Sequence, residues 1–432
     1  MDSLPSRDQA PQSVRDWLEG RQPEYLSTNA GTREAAYQGW RPFKEAFAPE
    51  LIEQAVRETS TVLGRKVRSC LDPFGGSGTT SLACQFLGVN PTTIEVNPYL
   101  ADLIEAKLSS YDVDRLIRDF DTVVSAPIGR VGSPFAYAPA TFVEPGVDDR
   151  FIFSKPIARR LASYADRIAS VRSVVNRRLF RVLLGNIAVE TSNVVVSGKG
   201  RRYRRNWQER DASPDSIDDA FKGAVLRAIY EISKFQSRKG KNFELIRGDA
   251  RTSIPVRRKF DLVVTSPPYP NSFDYTDVYN VELWVCGYLK SYADNRKLRM
   301  RTLRSHVQIH RKFDIPNAKS KILEDVVEQL KATRLNLWNK KIPEMIESYF
   351  ADMEAVLCGI QKSLTVGGRA YVVVGDSRYA GIRIPVADIL SEISAGLDLR
   401  TITKNPCRSM RGSPQQGSRA DLKETLLILS RT

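Results

Sequence analysis

The segment Thr265–Tyr269, with the letters TSPPY, has residue types that could act on the amino group of a nucleobase. It directly follows a short apolar run, which predicts a position at the carboxyl end of a buried strand, where open α/β sheets bind ligands. Pro267 and Pro268 lock the backbone in an extended path and remove two amide donors. The carbonyl oxygens of this segment therefore remain available as acceptors.

An exocyclic amine of cytosine or adenine is a poor nucleophile because its lone pair is delocalised into the ring. Acceptors for the amine hydrogens, here the Ser266 side chain and the Pro267 carbonyl, would localise that lone pair towards a sulfonium methyl group. Tyr269 would stack on a base that has left the duplex. Considered alone, SPPY is equally well explained as a rigid turn that ends a strand.

A second motif, LDPFGGSGTT at 71–80, places Gly75, Gly76 and Gly78 between an apolar strand and a helix start. Glycines at such a turn let the backbone approach a ligand closely. Glu95 follows Gly76 by 19 residues, at the expected end of the next strand, where a carboxylate can accept hydrogen bonds from ribose hydroxyls. The spacing suits an adenosine-containing cofactor better than NAD, since the third glycine of GxGxxG is missing.

Together the two motifs resemble the amino-methyltransferase family, which modifies cytosine N4 or adenine N6 in DNA. FGGSG is similar to the cofactor motif of that family, and TSPPY is similar to its catalytic motif in the spelling more usual for the cytosine-N4 branch. YQGWRPFKEAFAPELIEQAV resembles the helix that precedes the cofactor motif, and GDAR at 248–251 resembles the acidic turn that contacts the adenine end of the cofactor. This resemblance covers roughly half of the chain.

The resemblance implies an S-adenosylmethionine cofactor and assigns residues to two sites. The cofactor-binding residues are Asp72, Phe74, Gly75, Gly76, Gly78, Thr79, Glu95 and Asp249, and the catalytic residues are Ser266, Pro267, Pro268 and Tyr269. Adenine-N6 members usually carry Asp or Asn at the position of Ser266, so cytosine N4 is the favoured target. The cofactor motif precedes the catalytic motif here, whereas many cytosine-N4 members have the opposite order, so adenine N6 stays the alternative.

Other functions are alternatives to methylation of an exocyclic amine in DNA. Transfer to cytosine C5 needs a Pro-Cys nucleophile, and Pro406–Cys407 has those letters, but we interpret Cys407 as an ordinary loop cysteine. An RNA or protein acceptor is a weaker alternative, and a catalytically inactive nucleic-acid-binding protein on the same fold is an alternative of another class.

The sequence contains only two histidines, His306 and His310. We expect no metal site and interpret both histidines as phosphate contacts or surface residues.

The charge of the 432-residue chain indicates a polyanionic partner. Lysine and arginine total 65 against 50 acidic residues, a net charge of +15, although a basic but merely soluble enzyme explains the excess equally well. The leading DNA-contact segment is GKGRRYRRNW at 198–207, with Lys199, Arg201, Arg202, Arg204 and Arg205 interleaved with aromatic rings. A second basic stretch covers 296–312. The predicted partners are double-stranded DNA and a cognate restriction endonuclease.

The elements that must position these motifs alternate between strand and helix, which predicts an α/β fold. With the resemblance, this becomes a seven-stranded Rossmann-like S-adenosylmethionine-dependent methyltransferase core with helical insertions. The predicted parts are a loosely held N-terminal arm (1–39), a first core part with the cofactor motif (40–109), a mainly helical insertion (110–240), a second core part with the catalytic motif (241–289), a basic helical insertion (290–345) and a third core part (346–432). No apolar run approaches about 18 residues, no CxxC pair occurs among the cysteines, and a cytoplasmic location is expected.

Overall fold

The computed structural model describes residues 13–29, 32, 34–42, 46–127, 132–197, 200–210, 213–313, 319–410 and 422–431. Its strands are β1 Ser69–Asp72, β2 Asn90–Ile94, β3 Val194–Ser197, β4 Gly200–Tyr203, β5 Glu244–Ile246, β6 Phe260–Thr265, β7 Leu364–Gly375, β8 Ser377–Tyr379, β9 Ile382–Ile384, β10 Leu399–Met410 and β11 Leu422–Arg431. Lys199, predicted to contact DNA, lies outside the described residues.

Helices lie before, between and after these strands, in places several in succession. They are α1 Val14–Trp17, α2 Pro49–Leu63, α3 Thr79–Leu87, α4 Pro98–Leu108, α5 Val113–Ser125, α6 Lys155–Ala169, α7 Val174–Thr191, α8 Pro214–Phe235, α9 Ala250–Ser253, α10 Tyr275–Val278, α11 Asn280–Val285, α12 Tyr292–Met300, α13 Lys321–Ala332, α14 Ile342–Ser363 and α15 Val386–Ala395. In the described part of the chain, none of these helices is long and apolar enough to cross a membrane.

A seven-stranded sheet in the order β10-β11-β7-β6-β1-β2-β5 forms the centre of the fold, which confirms the predicted α/β core. Strands β7, β6, β1, β2 and β5 are parallel, and β11 runs antiparallel to both β7 and β10. Parallel strands bring their carboxyl ends to one edge of the sheet, so the segments after β1, β2 and β6 meet there.

Apolar side chains cover both faces of this sheet, as its central strands require. Along β6, Leu262 and Val264 belong to the cluster under α2, α3 and α4, whereas Val263 belongs to the cluster under α13, α14 and α15. Because successive strand residues point to opposite faces, β6 is buried on both sides along its whole length. The catalytic motif therefore begins at the end of a rigid central strand.

The N-terminal arm is packed over its described part rather than loosely held. The Trp17 ring stacks on Phe86 of α3 with ring centroids 4.9 Å apart, and its indole nitrogen donates to the Ala36 carbonyl at 3.0 Å. Val14 is buried as well. The prediction of a loose arm was wrong for residues 13–29, because polar composition around a few apolar residues concealed their contact with α3.

The stretch at 110–240 contains four long helices, α5 to α8, which pack against one another as the 3–4 spacing of apolar residues indicates. Strands β3 and β4 add a two-stranded antiparallel hairpin at the predicted DNA-contact segment. The boundaries of this insertion stay a prediction.

One local interpretation was wrong. Cys407, interpreted as a loop residue, lies on β10, the edge strand of the main sheet, at a bulge between the pairs Pro406–Thr425 and Arg408–Glu424. The second basic stretch, 296–312, is helical only as far as Met300.

Candidate active site

A cavity of about 360 Å³ opens at the carboxyl ends of β1, β2 and β6. The predicted site residues that line it are Asp72, Phe74, Gly75, Gly76, Thr79, Glu95, Asp249, Ser266, Pro267, Pro268 and Tyr269. The glycine-rich turn and the TSPPY segment thus share one cavity, although 185 or more residues separate them in sequence. Gly78 is the one predicted cofactor residue that does not line it.

The glycines of the turn are required by close packing and by backbone conformation. A Cβ atom on Gly75 would lie 2.3 Å from Thr93 Cγ2 and 2.8 Å from Ile104 Cδ1, so a side chain would displace the turn. Gly78 caps the start of α3 with φ +80°, a left-handed conformation that favours glycine. Gly78 therefore shapes the turn from behind, while Gly75 and Gly76 face the cavity.

Glu95 lies immediately after β2 and braces the same turn. Its Oε2 accepts from the Gly76 backbone N–H and its Oε1 from the Asn97 backbone N–H, both at 2.8 Å. Burial raises the pKa of Glu95 to about 7, against the opposing effect of these two hydrogen bonds. Each carboxylate oxygen keeps a second lone pair that can accept from a ligand hydroxyl.

A hydrogen bond joins the cofactor turn to the catalytic strand. Thr265 Oγ1 donates to Asp72 Oδ1 at 2.8 Å, and the same oxygen accepts from the Phe74 backbone N–H at 3.1 Å. Burial raises the pKa of Asp72 to about 6. These contacts hold the ends of β1 and β6 in a fixed relation.

A buried lysine that sequence reasoning missed supports the turn from below. Lys107 of α4 donates from Nζ to the Ser77 carbonyl at 2.8 Å and has no exposed surface. Burial lowers the pKa of Lys107 to about 7. No sequence signal distinguishes this lysine from the surface lysines, because its burial depends on how α4 packs beneath the glycine-rich turn.

The acidic residue of the GDAR turn has a different environment from that of Glu95. Asp249 caps α9 and its carboxylate pairs with Arg251 at 2.5 Å. Arg251 in turn pairs with buried Asp352 at 3.2 Å. The Asp249 carboxylate lines the cavity at the end of β5, but part of its accepting capacity is taken by Arg251.

The catalytic motif is anchored by residues far along the chain. The Tyr269 hydroxyl donates to Glu424 Oε1 at 3.0 Å and accepts from Ser266 Oγ at 3.4 Å. Burial raises the pKa of Tyr269 well above its ordinary value. Glu424 of β11 and Arg408 of β10 also line the cavity, and sequence reasoning missed both. The one available signal was a charged residue, Glu424, two positions before the apolar run of the last strand.

Residues after the catalytic motif complete the cavity wall, among them Asn271, Phe273, Tyr275, Thr276, Ser305 and His306. His306 is buried, its Nε2 lies 2.9 Å from Arg311 Nη2, and burial lowers its pKa to about 4. Its interpretation as a phosphate contact or surface residue was wrong, since its ring packs inside the protein. His310 is exposed.

The basic hairpin lies next to the cavity mouth. Arg201 of β4 is 3.9 Å from Asp277 of α10, the helix that also supplies Tyr275 to the cavity. Arg202 and Arg205 are exposed, and the Tyr203 and Trp207 rings pack together with centroids 4.9 Å apart.

Arg204 differs from its neighbours on the hairpin. Its Nε donates to the Ser192 carbonyl at 2.9 Å and its Nη2 to the Val189 carbonyl at 3.0 Å. Both carbonyls lie at the end of α7, where the Arg204 guanidinium acts as a C-terminal cap together with Arg210, which also donates to the Ser192 carbonyl. The prediction that Arg204 contacts DNA conflicts with this arrangement, because its donors are directed into the protein.

Three arginines of the second basic stretch make internal contacts as well. Arg299 pairs with Asp274, Arg304 pairs with Asp352 at 2.7 Å, and Arg311 is buried against backbone carbonyls. These arginines fix the wall of the cavity. Arg301 is the exposed arginine of this stretch that also lines the cavity.

Known proteins resemble this chain along most of its length. The Type II methyltransferase M.BsoBI of Geobacillus stearothermophilus is 24% identical over 431 aligned positions, covering 87% of this chain and 81% of that protein. The Type II methyltransferase M.AvaI of Anabaena variabilis is 27% identical over 426 positions, covering 88% and 83%. A match to the Type II methyltransferase M.MjaII of Methanocaldococcus jannaschii is 36% identical over 78 residues, 18% of this chain and 14% of that protein.

No protein-family model matches the chain. Among solved structures, the glycopeptide N-methyltransferase MtfA complexed with S-adenosyl-L-methionine aligns with 9% identity and a TM-score of 0.27, over 88% of this chain and 94% of that chain. The strand order of the central sheet defines the fold. The long alignments to Type II methyltransferases agree with the meeting of both motifs in one cavity. Over most of its length the chain is thus similar to Type II methyltransferases.

Proposed function

We propose that this protein transfers a methyl group from S-adenosylmethionine to the exocyclic amine of a flipped base in double-stranded DNA, most favourably to cytosine N4. The observation that carries the proposal is the shared cavity, in which the Asp72–Thr265 hydrogen bond joins the cofactor turn to the catalytic strand. A base amine and a sulfonium methyl group bound on either side of that bond would be adjacent. Proximity of this kind is the main requirement for a direct transfer.

The lining residues fit S-adenosylmethionine in size and chemistry. Two buried carboxylates, Asp72 and Glu95, stand at the ends of adjacent parallel strands, where they could accept from ribose hydroxyls and from the cationic amino-acid end. Ile94, Val96 and Leu100 supply apolar surface for the adenine ring. The bound cofactor would supply an electrophilic methyl group on a positively charged sulfur, and the chain's own residues would bind and orient it.

The TSPPY segment would prepare the base. Ser266 Oγ and the Pro267 carbonyl would accept hydrogen bonds from the amine hydrogens, which favours a pyramidal nitrogen and turns its lone pair towards the methyl group. Pro267 and Pro268 keep these acceptors in place because their φ angles are fixed. The Tyr269 ring would stack on the base, and its hydroxyl is already anchored by Glu424.

The serine at position 266 supports cytosine N4 over adenine N6, since adenine-modifying relatives of this family usually carry Asp or Asn there. A serine offers one hydroxyl oxygen and no formal charge, and the amine of cytosine needs two acceptors, of which the Pro267 carbonyl is the second.

DNA would approach over the hairpin formed by β3 and β4. Arg202 and Arg205 are exposed there, and the hairpin contacts α10 beside the cavity. The net charge of +15 supports phosphate binding. By analogy with the Type II relatives, a cognate restriction endonuclease would act on the same site, and we propose a cytoplasmic location for both.

The test is to incubate the purified full chain with S-adenosylmethionine and unmodified plasmid DNA, digest the DNA to nucleosides, and identify the methylated base by mass spectrometry. We expect N4-methylcytosine. Ser266→Ala should lower the rate about 10²- to 10³-fold with unchanged cofactor affinity. The matched control is Ser125→Ala, an exposed serine at the end of α5, which should not affect the rate. N6-methyladenine would overturn the choice of base, and no methylated base at all would support the inactive DNA-binding alternative.

A further inference from the structure

Arg408 and Glu424 line the cavity on the side away from the cofactor turn, and the cofactor and catalytic motifs do not account for them. They come from β10 and β11, the antiparallel edge of the sheet, and face each other directly across the two strands. Glu424 is 3% exposed, and the Arg408 side chain is 33% exposed. The carboxylate is therefore internal, and the guanidinium reaches towards the open part of the cavity.

A β-bulge is what places Arg408 on this face. Pro406 is opposite Thr425 and Arg408 is opposite Glu424, so Cys407 is the extra residue. Without the bulge, Arg408 would share the face of Pro406 and lie opposite Lys423, because strand side chains alternate. Bulges next to active sites commonly redirect a side chain in this way. The bulge at Cys407 directs the guanidinium into the cavity.

The ion pair with Glu424 uses one edge of the guanidinium. Arg408 Nε donates to Oε2 at 2.5 Å and Nη2 to Oε1 at 3.4 Å. A planar guanidinium has five N–H donors, so its outer edge, formed by Nη1 and the second Nη2 hydrogen, faces away from the carboxylate. Glu424 also accepts from the Tyr269 hydroxyl, which fixes the guanidinium relative to the catalytic motif.

We propose that Arg408 is a specificity-determining residue that reads the target base, an inference that rests on the proposed function. When the amine of cytosine lies on Ser266 and Pro267, the next two atoms of its Watson–Crick edge are acceptors, N3 and O2. The outer edge of the Arg408 guanidinium presents two parallel donors that match this pair. Adenine presents N1 followed by a C–H, so one donor of Arg408 would be left unsatisfied.

A purely structural role makes a different prediction. If Arg408 only neutralised Glu424 and steadied Tyr269, its loss would lower the rate equally for every base placed in the cavity. If Arg408 reads the base, the loss of rate depends on which acceptor atoms the base carries. The two roles are therefore separated by combining a variant of the enzyme with a variant of the base.

The experiment uses DNA duplexes that carry the mapped methylation site with either cytosine or 3-deazacytosine as the target base. The analogue keeps the amine and O2 but replaces the N3 acceptor with a C–H. For the unmodified protein, kcat/KM should fall about 10- to 100-fold on the analogue. Arg408→Met should lose a similar factor on cytosine and should lose little more on the analogue. Any intrinsic effect of the analogue on the amine is common to both enzymes and cancels in the comparison.

Two further variants sharpen the result. Arg408→Lys keeps the positive charge beside Glu424 but lacks the planar guanidinium. This variant should therefore retain cofactor affinity but discriminate poorly between cytosine and 3-deazacytosine, as Arg408→Met does. Lys404→Met, which removes an exposed lysine from the same strand, should behave like the unmodified protein. Losses from Arg408→Met and from the analogue that simply multiply would overturn the proposal, as would an Arg408→Met variant with full activity. Absence of N4-methylcytosine with the unmodified protein would refute the proposed function instead.

Discussion

Glu95 accepts a 2.8 Å hydrogen bond from the backbone N–H of Gly76, and this bond braces the turn after β1 with the carboxylate that follows β2. The same carboxylate faces the cavity, so it serves the turn and the ligand together. Removing it should weaken cofactor binding more than the loss of one ligand contact would.

We therefore expect Glu95→Ala to raise the dissociation constant of S-adenosylmethionine about 10- to 100-fold, since hydrogen bonds to a charged group contribute about 1.5–3 kcal/mol. Isothermal titration calorimetry measures this directly. Glu328→Ala, an exposed glutamate on α13, is the control and should bind like the unmodified protein. Equal affinities for both variants would show that the ribose does not contact Glu95.

The raised pKa of Glu95 predicts a pH dependence of stability. Its pKa rises on folding from 4.5 to about 7, so the folded state binds more protons than the unfolded state between these values. The stability that Glu95 contributes is present below pH 4.5 and is lost as the pH rises through about 7. Relative to Glu95→Gln, the unmodified protein should lose up to about 3 kcal/mol across this window. Urea unfolding of both proteins at several pH values tests this, and a constant difference would contradict it.

We expect two hairpin arginines to have different roles: Arg205 contacts DNA, and Arg204 caps α7. Arg205→Ala should weaken DNA binding and reduce the slope of log K against log salt by about one unit, because one phosphate contact is lost. Arg204→Ala should instead lower the free energy of unfolding by about 1 kcal/mol, because two carbonyls at the end of α7 each lose one of their donors. A salt titration of DNA affinity and a thermal melt distinguish the two effects. An unchanged slope for Arg205→Ala would show that DNA binds to another surface of the protein.

Asp352 is the buried centre of a charge cluster behind the cavity wall. It accepts from Arg304 at 2.7 Å and from Arg251 at 3.2 Å. Asp352→Ala leaves both guanidinium groups without this partner and should cost about 3–5 kcal/mol of stability. Asp325→Ala, which breaks an exposed pair with Lys321, should cost less than about 1 kcal/mol. Chemical denaturation measures both values, and a similar small cost for Asp352 would show that water enters this cluster.

The sequence by itself determined the parts of the protein that depend on neighbouring residues. An apolar strand followed by a glycine-rich turn, and an apolar strand followed by TSPPY, are local patterns, so both motifs were assigned to strand ends before any contact was known. The parallel α/β arrangement then required these ends to meet at one edge of the sheet. The predictions for Glu95 and Tyr269 followed from these patterns, and the resemblance to the amino-methyltransferases added Asp72.

Only the tertiary structure decided which residues complete the cavity and which charges are available to a partner. Arg408 reaches the cavity through a one-residue bulge, and Glu424 reaches it through the pairing of β11 with β7. Neither the bulge nor this pairing produces a periodic pattern of residues in the sequence. Arg204, Arg299 and Arg311 look like phosphate contacts in a basic segment but bind carbonyls and carboxylates inside the fold. The physical reason is that burial and ion pairing depend on contacts between residues distant in sequence. Local patterns of residues predict only the secondary structure of their own segment.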